Sequence, residues 1–306
     1  MNVTELNEHY GQPGLRFAEG AGELIYAEID NAGGSARICL QGAHIVGWRP
    51  KDQTEPVVWV SDQAKYGPGK SIRGGVPVCW PWFGPHASES AFPGHGFART
   101  TMWQVTGSET LADGATRVGF MLMPNDRTHA QFPKACRCEL IATVGASLRV
   151  DLVTSNLDTE TVTIGEALHT YLRIGDIADA AVTGLDGSEY VDKVDGGRRK
   201  HQAGAVMFSG EVDRVYVNTE SECLIEDPVL GRRIRIAKSG GRSTVVWTPW
   251  QEKAEKMADF GPGRAGQGGW REMVCVESGN ALDDVVSLAA GERHTLSVIY
   301  SAEALA

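Results

Sequence analysis

The chain has 306 residues, which is long for one domain, although large all-β domains reach about 200–250 residues. We therefore predict a single domain over residues 1–306 with extended loops. Hydrophobic residues make up 42% and charged residues 22% of the chain, as is typical of globular proteins. The net charge of −10 argues against nucleic acid or an anionic membrane as a partner, whereas a local arginine pair would still suit a small anion.

The first residues, MNVTELNEHYGQPG, lack the basic and apolar segments of a signal peptide, and no stretch approaches the roughly 20 apolar residues of a membrane span. The cysteines are scattered and none has the C-x-x-C spacing of metal or redox sites. We therefore predict a cytoplasmic protein with reduced, mostly buried thiols and no metal site built from them. The cysteines are Cys39, Cys79, Cys136, Cys138, Cys223 and Cys275.

Short segments of alternating polarity predict β-strands along most of the chain. Residues 24–48 contain two or three strands around a turn at residues 31–34, and residues 49–69 form a polar loop. The only convincing helical pattern is short, near Glu252–Phe260. Many short strands between turns favour an all-β sandwich or a large open barrel with few short helices. The later strand-like runs are TMWQVTGSE, TRVGFMLMP, LRVDLV, TVTIGEALHTYLRIG, DRVYVNT, CLIED, RRIRIAK, TVVWTP, MVCVES and HTLSVIYS.

Residues 70–100 combine four prolines and five glycines with aromatic and cationic side chains. This density of Pro and Gly argues against any regular helix or strand, and the aromatic content is unlike that of a linker. We predict a packed, irregular loop that lines a concave site, with a purely structural loop as the alternative. The expected apolar walls are Trp80, Trp82, Phe83 and Phe97, and the expected polar groups are Arg73, His86, His95 and Arg99.

Several catalytic motifs are absent, including the phosphate-binding loop, the dinucleotide fingerprint, the zinc-protease helix and the serine elbow. His169 lies in EALHTYL, where a satisfied core histidine is the alternative to a catalyst. Glu277 follows the apolar run MVCV, where a surface strand end is the alternative to a functional carboxylate that is costly to bury. Asp213 precedes RVYVN and also fits a simple turn. Taken separately, these residues leave both interpretations open.

The chain resembles the hexose-6-phosphate mutarotases, within the aldose 1-epimerase, galactose-mutarotase-like group, in the order and spacing of several segments. The resemblance runs from about Leu24 to Tyr300, and its most specific pieces are IRGGVPVCWPWFG and HGFAR. The other segments are GPH, EALHTYLRIGDI, GLDGSEYVDK, the Asp213 region, VVWTPWQEKAEKMADF and VCVESGN.

This resemblance implies a large antiparallel β-sandwich, often called a supersandwich, and interconversion of the α and β anomers of a hexose 6-phosphate, most simply glucose 6-phosphate. This reaction requires no cofactor and no metal, and we predict a monomer. The resemblance also implies His169 as general acid and Glu277 as general base. The side chains implied to contact the sugar or its phosphate are Arg73, His95, Arg99 and Asp213.

Mutarotation needs an acid and a base on opposite sides of the anomeric carbon, because one oxygen loses a proton while the other gains one. Histidine suits this exchange, since its reference pKa is about 6.5. We expect Glu277 to be ionised at pH 7. We also expect the charges of Glu277 and Asp213 to raise the pKa of His169.

Two alternatives remain: an epimerase for unphosphorylated sugars, and a sugar-phosphate-binding protein without catalysis. The pair Arg73 and Arg99 counts against the first, unless each arginine pairs with a carboxylate of a neighbouring loop. The presence of both an acid and a base counts against the second. In some members of the family a Gln precedes the histidine of HGFAR and contacts the ligand, whereas Gly94 occupies that position here and cannot make this contact.

Overall fold

A computed structural model describes residues 1–305 and is dominated by β-strands. The strands of the described residues are β1 (Leu15–Glu19), β2 (Ile25–Asp30), β3 (Gly34–Cys39), β4 (His44–Pro50), β5 (Val78–Cys79), β6 (Trp103–Thr110), β7 (Thr116–Leu122), β8 (Cys136–Val144), β9 (Leu148–Asn156), β10 (Val162–Ile164), β11 (Glu166–Leu168), β12 (Tyr171–Arg173), β13 (Ala181–Thr183), β14 (Glu189–Asp192), β15 (Arg198–His201), β16 (Val206–Met207), β17 (Val212–Tyr216), β18 (Cys223–Asp227), β19 (Arg232–Ser239), β20 (Ser243–Thr248), β21 (Met273–Asn280), β22 (Val286–Leu288) and β23 (Arg293–Ala304).

The α-helices of the described chain are α1 (Val3–Tyr10), α2 (Asp126–Gln131) and α3 (Trp250–Met257), and none exceeds eight residues. Helix α3 confirms the short helix expected near Glu252–Phe260. Among residues 1–305, no helix has the length and apolarity needed to cross a bilayer.

Helices α1 and α2 were not predicted, because each is too short to show a clear apolar period. Both are instead fixed by capping boxes, in which the side chain at the N-cap and the side chain three residues later bond to each other's backbone N–H group. The first box joins Asn2 to Glu5, and the second joins Asn125 to Thr128.

Two large sheets form the body of the fold. The first has the order β15-β14-β17-β20-β21-β11-β5, with β12 also pairing with β21, and the second has the order β16-β13-β18-β19-β23-β9-β8-β7-β6. All of these strand pairs are antiparallel, as are those of the smaller sheets β1-β2-β3-β4 and β10-β22. The predicted all-β antiparallel sandwich is confirmed.

One hydrophobic core joins the two large sheets. Leu168 and Val276 contribute from the first sheet, and Leu140 and Leu296 contribute from the second. All four are essentially inaccessible to solvent, and together with their many buried neighbours they supply the apolar area that drives this fold. The prediction of a single domain over residues 1–306 stays a prediction.

The segment 70–100 is mostly irregular, as predicted, but it contains one short strand. Val78 and Cys79 form β5 and pair with Leu168 and Ala167 of β11. The expectation of no strand at all is wrong here, because the flanking prolines leave the N–H groups of these two residues intact. Strand β11 pairs with β5 on one side and with β21 on the other, so the loop supplies the edge strand of the first sheet.

The turn that carries His95 and Arg99 depends on Gly96, which has a φ of 72°. A Cβ atom at this position would lie 2.0 Å from the carbonyl oxygen of Trp80. Gly96→Ala should therefore lower the free energy of unfolding by roughly 2–4 kcal/mol, because both the left-handed backbone and the close contact oppose a side chain. Urea unfolding followed by tryptophan fluorescence measures this change.

Gly94 provides the matched control in the same turn. A Cβ there would meet no atom nearer than the Gly84 carbonyl oxygen at 3.9 Å. Gly94→Ala should change the free energy of unfolding by less than about 0.5 kcal/mol. Equal destabilisation by both substitutions would contradict a specific requirement for glycine at position 96.

Candidate active site

His169 and Glu277 meet where β11 and β21 pair, next to the edge strand β5 of the first sheet. Glu277 lies within β21, and His169 follows β11, where its backbone N–H donates to the Pro77 carbonyl at 2.9 Å. The distance from His169 Nδ1 to Glu277 Oε1 is 3.4 Å, and the two side chains are only 12% and 2% exposed. His169 Nδ1 and Glu277 Oε2 lack any hydrogen-bond partner in the described protein, so both atoms remain available to a ligand.

The protonation of His169 differs from the sequence-based expectation. Burial lowers the pKa of His169 well below its usual value, and electrostatic interactions with His95, Arg99 and Arg73 lower it further. The prediction that neighbouring carboxylates raise this pKa is wrong, because the loss of water dominates and the nearby basic residues add to it. The ligand-free site therefore favours a neutral imidazole.

Glu277 shows the complementary change. Burial raises the pKa of Glu277 well above its usual value, the charge of Asp213 raises it further, and the charge of Arg99 opposes the change. The expectation of a simply ionised Glu277 is therefore wrong for the ligand-free site. Together, the two changes favour neutral forms of both groups, as expected where water is excluded.

Aromatic rings fix the plane of the His169 imidazole. Tyr171 stacks on it with 5.0 Å between ring centroids and an angle of 9° between planes. Trp247 and His95 meet it edge-on, with centroid distances of 6.0 Å and 5.8 Å. This packing restricts rotation of the imidazole and keeps its Nδ1 atom near Glu277.

Arg73 is held by an ion pair and a phenol. Its Nε donates to both carboxylate oxygens of Asp259 at 3.1 Å, and its Nη1 donates to the Tyr171 hydroxyl at 2.9 Å. Burial alone would lower the pKa of Arg73, but Tyr171 and Asp259 outweigh burial and raise it. The alternative of an arginine paired with a carboxylate from another loop is therefore realised for Arg73.

Arg99 has a different environment. Its Nη2 donates to the Gly94 carbonyl at 2.8 Å, and within residues 1–305 no carboxylate forms an ion pair with it. Its charge still reaches the centre of the site, since it lowers the pKa values of both His169 and Glu277. Arg99 thus brings an uncompensated positive charge to the site.

His95 lies between the loop and His169 in a neutral form. Its backbone φ is 66°, and its N–H donates to the Gly84 carbonyl at 2.7 Å. Burial and then the charge of Arg99 lower the pKa of His95 to about 4. Because Nδ1 accepts from the Gly84 N–H at 3.3 Å, the neutral ring carries its proton on Nε2 and can donate from there.

Asp213 lies in β17, farther from the pair. It is opposite Trp247 of β20, which in turn is opposite Cys275 of β21. Burial raises the pKa of Asp213, although the charges of Lys253 and Lys193 oppose this change. Its effect on Glu277 is electrostatic, so the structure brings Asp213 to the same site without direct contact to His169.

Two aromatic residues expected as walls have other roles. Trp80 is 2% exposed, and its indole N–H donates to Thr154 Oγ1 at 3.0 Å in the core between the sheets. Phe97 is also buried and packs edge-on against Trp80. Composition alone did not reveal which way these rings point, and the aromatic groups that contact His169 are Tyr171 and Trp247 instead.

Of the other residues expected to line the site, Phe83 borders it and His86 does not. Phe83 packs edge-on against His95 with 4.8 Å between centroids, so it does border the site. His86 Nδ1 accepts from the backbone N–H of Glu89 at 3.1 Å, and its ring packs on Trp82. His86 therefore belongs to the packing of the loop and is not brought to His169.

The sequence-based reasoning missed four residues of the site. Tyr171 lies two positions after His169, and Cys275 lies two positions before Glu277, so the period of two in strands could have identified both. Cys275 Sγ, one imidazole nitrogen of His169 and a Glu277 carboxylate oxygen all lie within 4.8 Å of one another. Trp247 and Asp259 reach the site only through tertiary pairing, for which the local sequence gives no signal.

Comparisons with known proteins agree with this geometry. Residues 26–301 match the family model described as aldose 1-epimerase. The chain is 35% identical, over 85% of each chain, to an Escherichia coli K12 protein named "Putative glucose-6-phosphate 1-epimerase".

Solved structures of similar fold were also found. A crystal structure of a "putative mutarotase" from Salmonella typhimurium superposes with a TM-score of 0.88 at 29% identity, covering 97% of this chain and 96% of that one. A galactose mutarotase-like protein from Lactobacillus casei shares the fold, with a TM-score of 0.71 at 17% identity and coverage of 91% and 100%. The chain belongs to the aldose 1-epimerase family.

Proposed function

We propose that this epimerase interconverts the α and β anomers of a hexose 6-phosphate, most simply glucose 6-phosphate, with His169 and Glu277 as its acid–base pair. The observation that carries the proposal is the 3.4 Å separation of two buried, ionisable side chains, in which His169 Nδ1 and Glu277 Oε2 have no hydrogen-bond partner in the described protein. The Escherichia coli relative bears the name of this activity, which supports the choice of substrate.

The reaction opens a hemiacetal and closes it on the other face of C1. In ring opening, the imidazolium of His169 gives a proton to the ring oxygen while the carboxylate of Glu277 takes the proton of the C1 hydroxyl. After rotation about the C1–C2 bond, Glu277 returns a proton to the former carbonyl oxygen and His169 takes the proton from the C5 hydroxyl. Both residues end in their starting states, so the cycle needs no net proton.

The pKa changes of the ligand-free site fit a pair that shares one proton. That proton rests on Glu277 when both groups are neutral, and on His169 when they form an ion pair. The cationic field of Arg99 and Arg73 favours the neutral arrangement, because it lowers the pKa of His169. A phosphate dianion beside Arg99 would offset that field and favour the ion pair needed for ring opening.

The remaining side chains suit binding of the substrate. Arg99 offers guanidinium donors without a competing carboxylate, which matches a phosphate group. His95 offers its Nε2 proton to a sugar or phosphate oxygen, and Asp213 offers a carboxylate to a sugar hydroxyl. Arg73 presents its unused N–H groups beside Asp259, so this ion pair can bind either phosphate or a hydroxyl group.

One observation keeps an unphosphorylated sugar as the second candidate substrate. Because Asp259 compensates the charge of Arg73, the arginine pair expected to clamp a phosphate is reduced to one free charge, that of Arg99. A binding protein without catalysis is less well supported, since it would not require an acid–base pair. A cytoplasmic location and a monomeric state remain parts of the proposal.

Arg99→Ala should weaken binding of glucose 6-phosphate by roughly 1.5–3 kcal/mol, because a charged hydrogen bond to phosphate is lost. The rate of anomer exchange of free glucose should change much less. NMR exchange spectroscopy on the two sugars, with and without the 6-phosphate, measures both effects. Equal losses for the two substrates would mean that Arg99 supports the loop and that the phosphate assignment is wrong.

Arg73→Ala should behave differently in the absence of any sugar. It leaves Asp259 and the Tyr171 hydroxyl without their partner, so the free energy of unfolding should fall by about 1–3 kcal/mol. Adding Asp259→Ala should recover part of that loss, because the uncompensated carboxylate is then also removed. Urea unfolding of the two single variants and the double variant completes this double-mutant cycle, with Arg99→Ala as the control. If the losses in free energy of unfolding from Arg73→Ala and Asp259→Ala are strictly additive, the two side chains are not coupled.

His169→Asn and Glu277→Gln should each slow anomer exchange by roughly 10²–10⁴-fold, the usual contribution of general acid–base catalysis. Both replacements are similar in size and polar, so substrate affinity should change far less than the rate. The double variant should be scarcely slower than either single variant, since acid and base act in one exchange.

The measurement is NMR exchange of glucose 6-phosphate anomers, corrected for the spontaneous rate in water. Circular dichroism and substrate titration establish that each variant is folded and binds. A folded, substrate-binding Glu277→Gln protein with near-normal exchange would remove Glu277 as the base and, with it, the proposed mechanism.

A further inference from the structure

We infer that His169, Glu277 and Cys275 also form a binding site for a borderline-soft divalent cation, with Zn²⁺ as the best match. Occupation of this site would block the acid–base pair. The mechanism proposed above uses two of these side chains and leaves the thiol without a role. The inhibitory consequence rests on the proposed function, whereas the binding of the ion does not.

The distances are close to those of a tetrahedral zinc site. Nitrogen and oxygen ligands about 2.1 Å from a tetrahedral ion lie about 3.4 Å from each other, and a thiolate lies about 3.5 Å from either. The distance from His169 Nδ1 to Glu277 Oε1 is 3.4 Å. The ligand atoms of all three residues lie within 4.8 Å of one another, so the thiol needs to move by little more than about 1 Å.

The ligand atoms are also free and directed to one place. Cys275 and Glu277 are two residues apart in β21, so their side chains project from the same face of the sheet. Glu277 is 1% exposed, and its Oε2 has no hydrogen-bond partner, nor does His169 Nδ1. Buried polar atoms without partners are rare in folded proteins, and a metal ion would satisfy both of these atoms at once.

The donor set selects the type of ion. One imidazole nitrogen, one carboxylate oxygen and one sulfur atom suit Zn²⁺ or Co²⁺ and do not suit Mg²⁺ or Ca²⁺, which prefer oxygen ligands alone. On binding, a metal–sulfur bond replaces the S–H bond of Cys275, and the proton passes to the solvent. Three protein ligands leave a fourth position for water, which is the arrangement of an open zinc site.

The bound ion would occupy the atoms that transfer protons. His169 Nδ1 and Glu277 could then neither donate nor accept a proton, so exchange should stop. The ion and the sugar should also exclude each other. Mg²⁺ at the same concentration provides the control for chelation of the substrate phosphate, because it binds phosphate but does not match these three ligands.

The test uses the full chain with Co²⁺ as a spectroscopic probe and Zn²⁺ as a competitor. Co²⁺ bound to a thiolate gives a sulfur-to-cobalt charge-transfer absorption in the near ultraviolet. We expect this band in the unmodified protein, its loss on addition of Zn²⁺, and its absence in both Cys275→Ala and Cys275→Ser. The serine variant preserves the size of the side chain in case the alanine variant folds poorly.

Cys79 provides the matched control, since it is likewise fully buried and its pKa responds to the charge of Glu277. Cys79→Ala should retain the band and the affinity for Zn²⁺. Cys275→Ala should lower the Zn²⁺ affinity at least about tenfold, because even loss of an outer partner of a metal ligand costs about 10–100-fold. Zn²⁺ should inhibit anomer exchange of the unmodified protein where Mg²⁺ does not, and a chelator should restore it.

A missing charge-transfer band in the unmodified protein would overturn the inference, as would a band that survives in both Cys275 variants. Zn²⁺ affinity that is unchanged by Cys275→Ala would assign the ion to another part of the surface and would also overturn it. If the band appears as expected but no anomer exchange is found, the metal site stands and the proposed function fails. If anomer exchange is found but the charge-transfer band is absent, the metal site is overturned and the proposed function stands.

Discussion

The antiparallel pairing of β11 with β21 is the constraint on which the site depends. In this register Leu168 lies opposite Ser278, so His169 emerges beside Glu277. A buried polar cluster fixes the register, since Asn280 Nδ2 donates to Glu166 Oε1 at 3.0 Å and His294 Nε2 lies 3.1 Å from the same oxygen. The hydrogen bond that His294 donates to the Glu166 carboxylate raises the pKa of His294, which favours an ion pair at the far end of both strands.

Such a register is strongly specified, because a shift of one residue would turn every side chain of the strand to the other face. It would move Glu277 and Cys275 into the core between the sheets and would leave Glu166 without Asn280. A fully buried Glu166 without a partner costs more than most single contacts provide. The fold therefore protects the geometry of the site from a distance, through residues that do not touch the sugar.

Exclusion of water gives the site its chemistry and also makes it costly. Two ionisable groups with unsatisfied atoms oppose folding, since neither is fully hydrogen-bonded in the ligand-free protein. The large apolar core between the two sheets offsets this cost. The same burial lowers the pKa of His169 and raises the pKa of Glu277, so it favours the neutral forms of both groups in the ligand-free protein.

The sequence predicted the architecture better than it predicted the electrostatics. Strict alternation located strands such as β18 and β19, because each has one buried and one exposed face. It could not locate helix α1, which depends on a cap rather than on a period, or the strand β5, which lies between two prolines. The family resemblance implied His169 and Glu277 as an acid and a base, and the structure places their side chains 3.4 Å apart.

The sequence did not predict how these neighbours are charged. The pKa of a buried group depends on every charge that the fold brings near it, and those of His95, Arg99 and Arg73 approach His169 only through tertiary structure. The orientation of the aromatic side chains was not predictable either. Trp80 and Tyr171 are both aromatic residues in segments near the candidate site, and only the fold directs Trp80 into the core and Tyr171 onto the imidazole.

The distribution of positive charge bears on the proposed binding of a phosphorylated sugar by an acidic protein. A net charge of −10 repels a dianion, but at physiological ionic strength this repulsion is screened beyond about 8 Å. Recognition must therefore come from groups close to the anion. Since Asp259 compensates Arg73, the charge of Arg99 remains available, and burial makes its interaction with phosphate stronger than on an open surface. The same charge lowers the pKa of His169, so the proposed binding of phosphate at Arg99 would be electrostatically coupled to protonation of the imidazole.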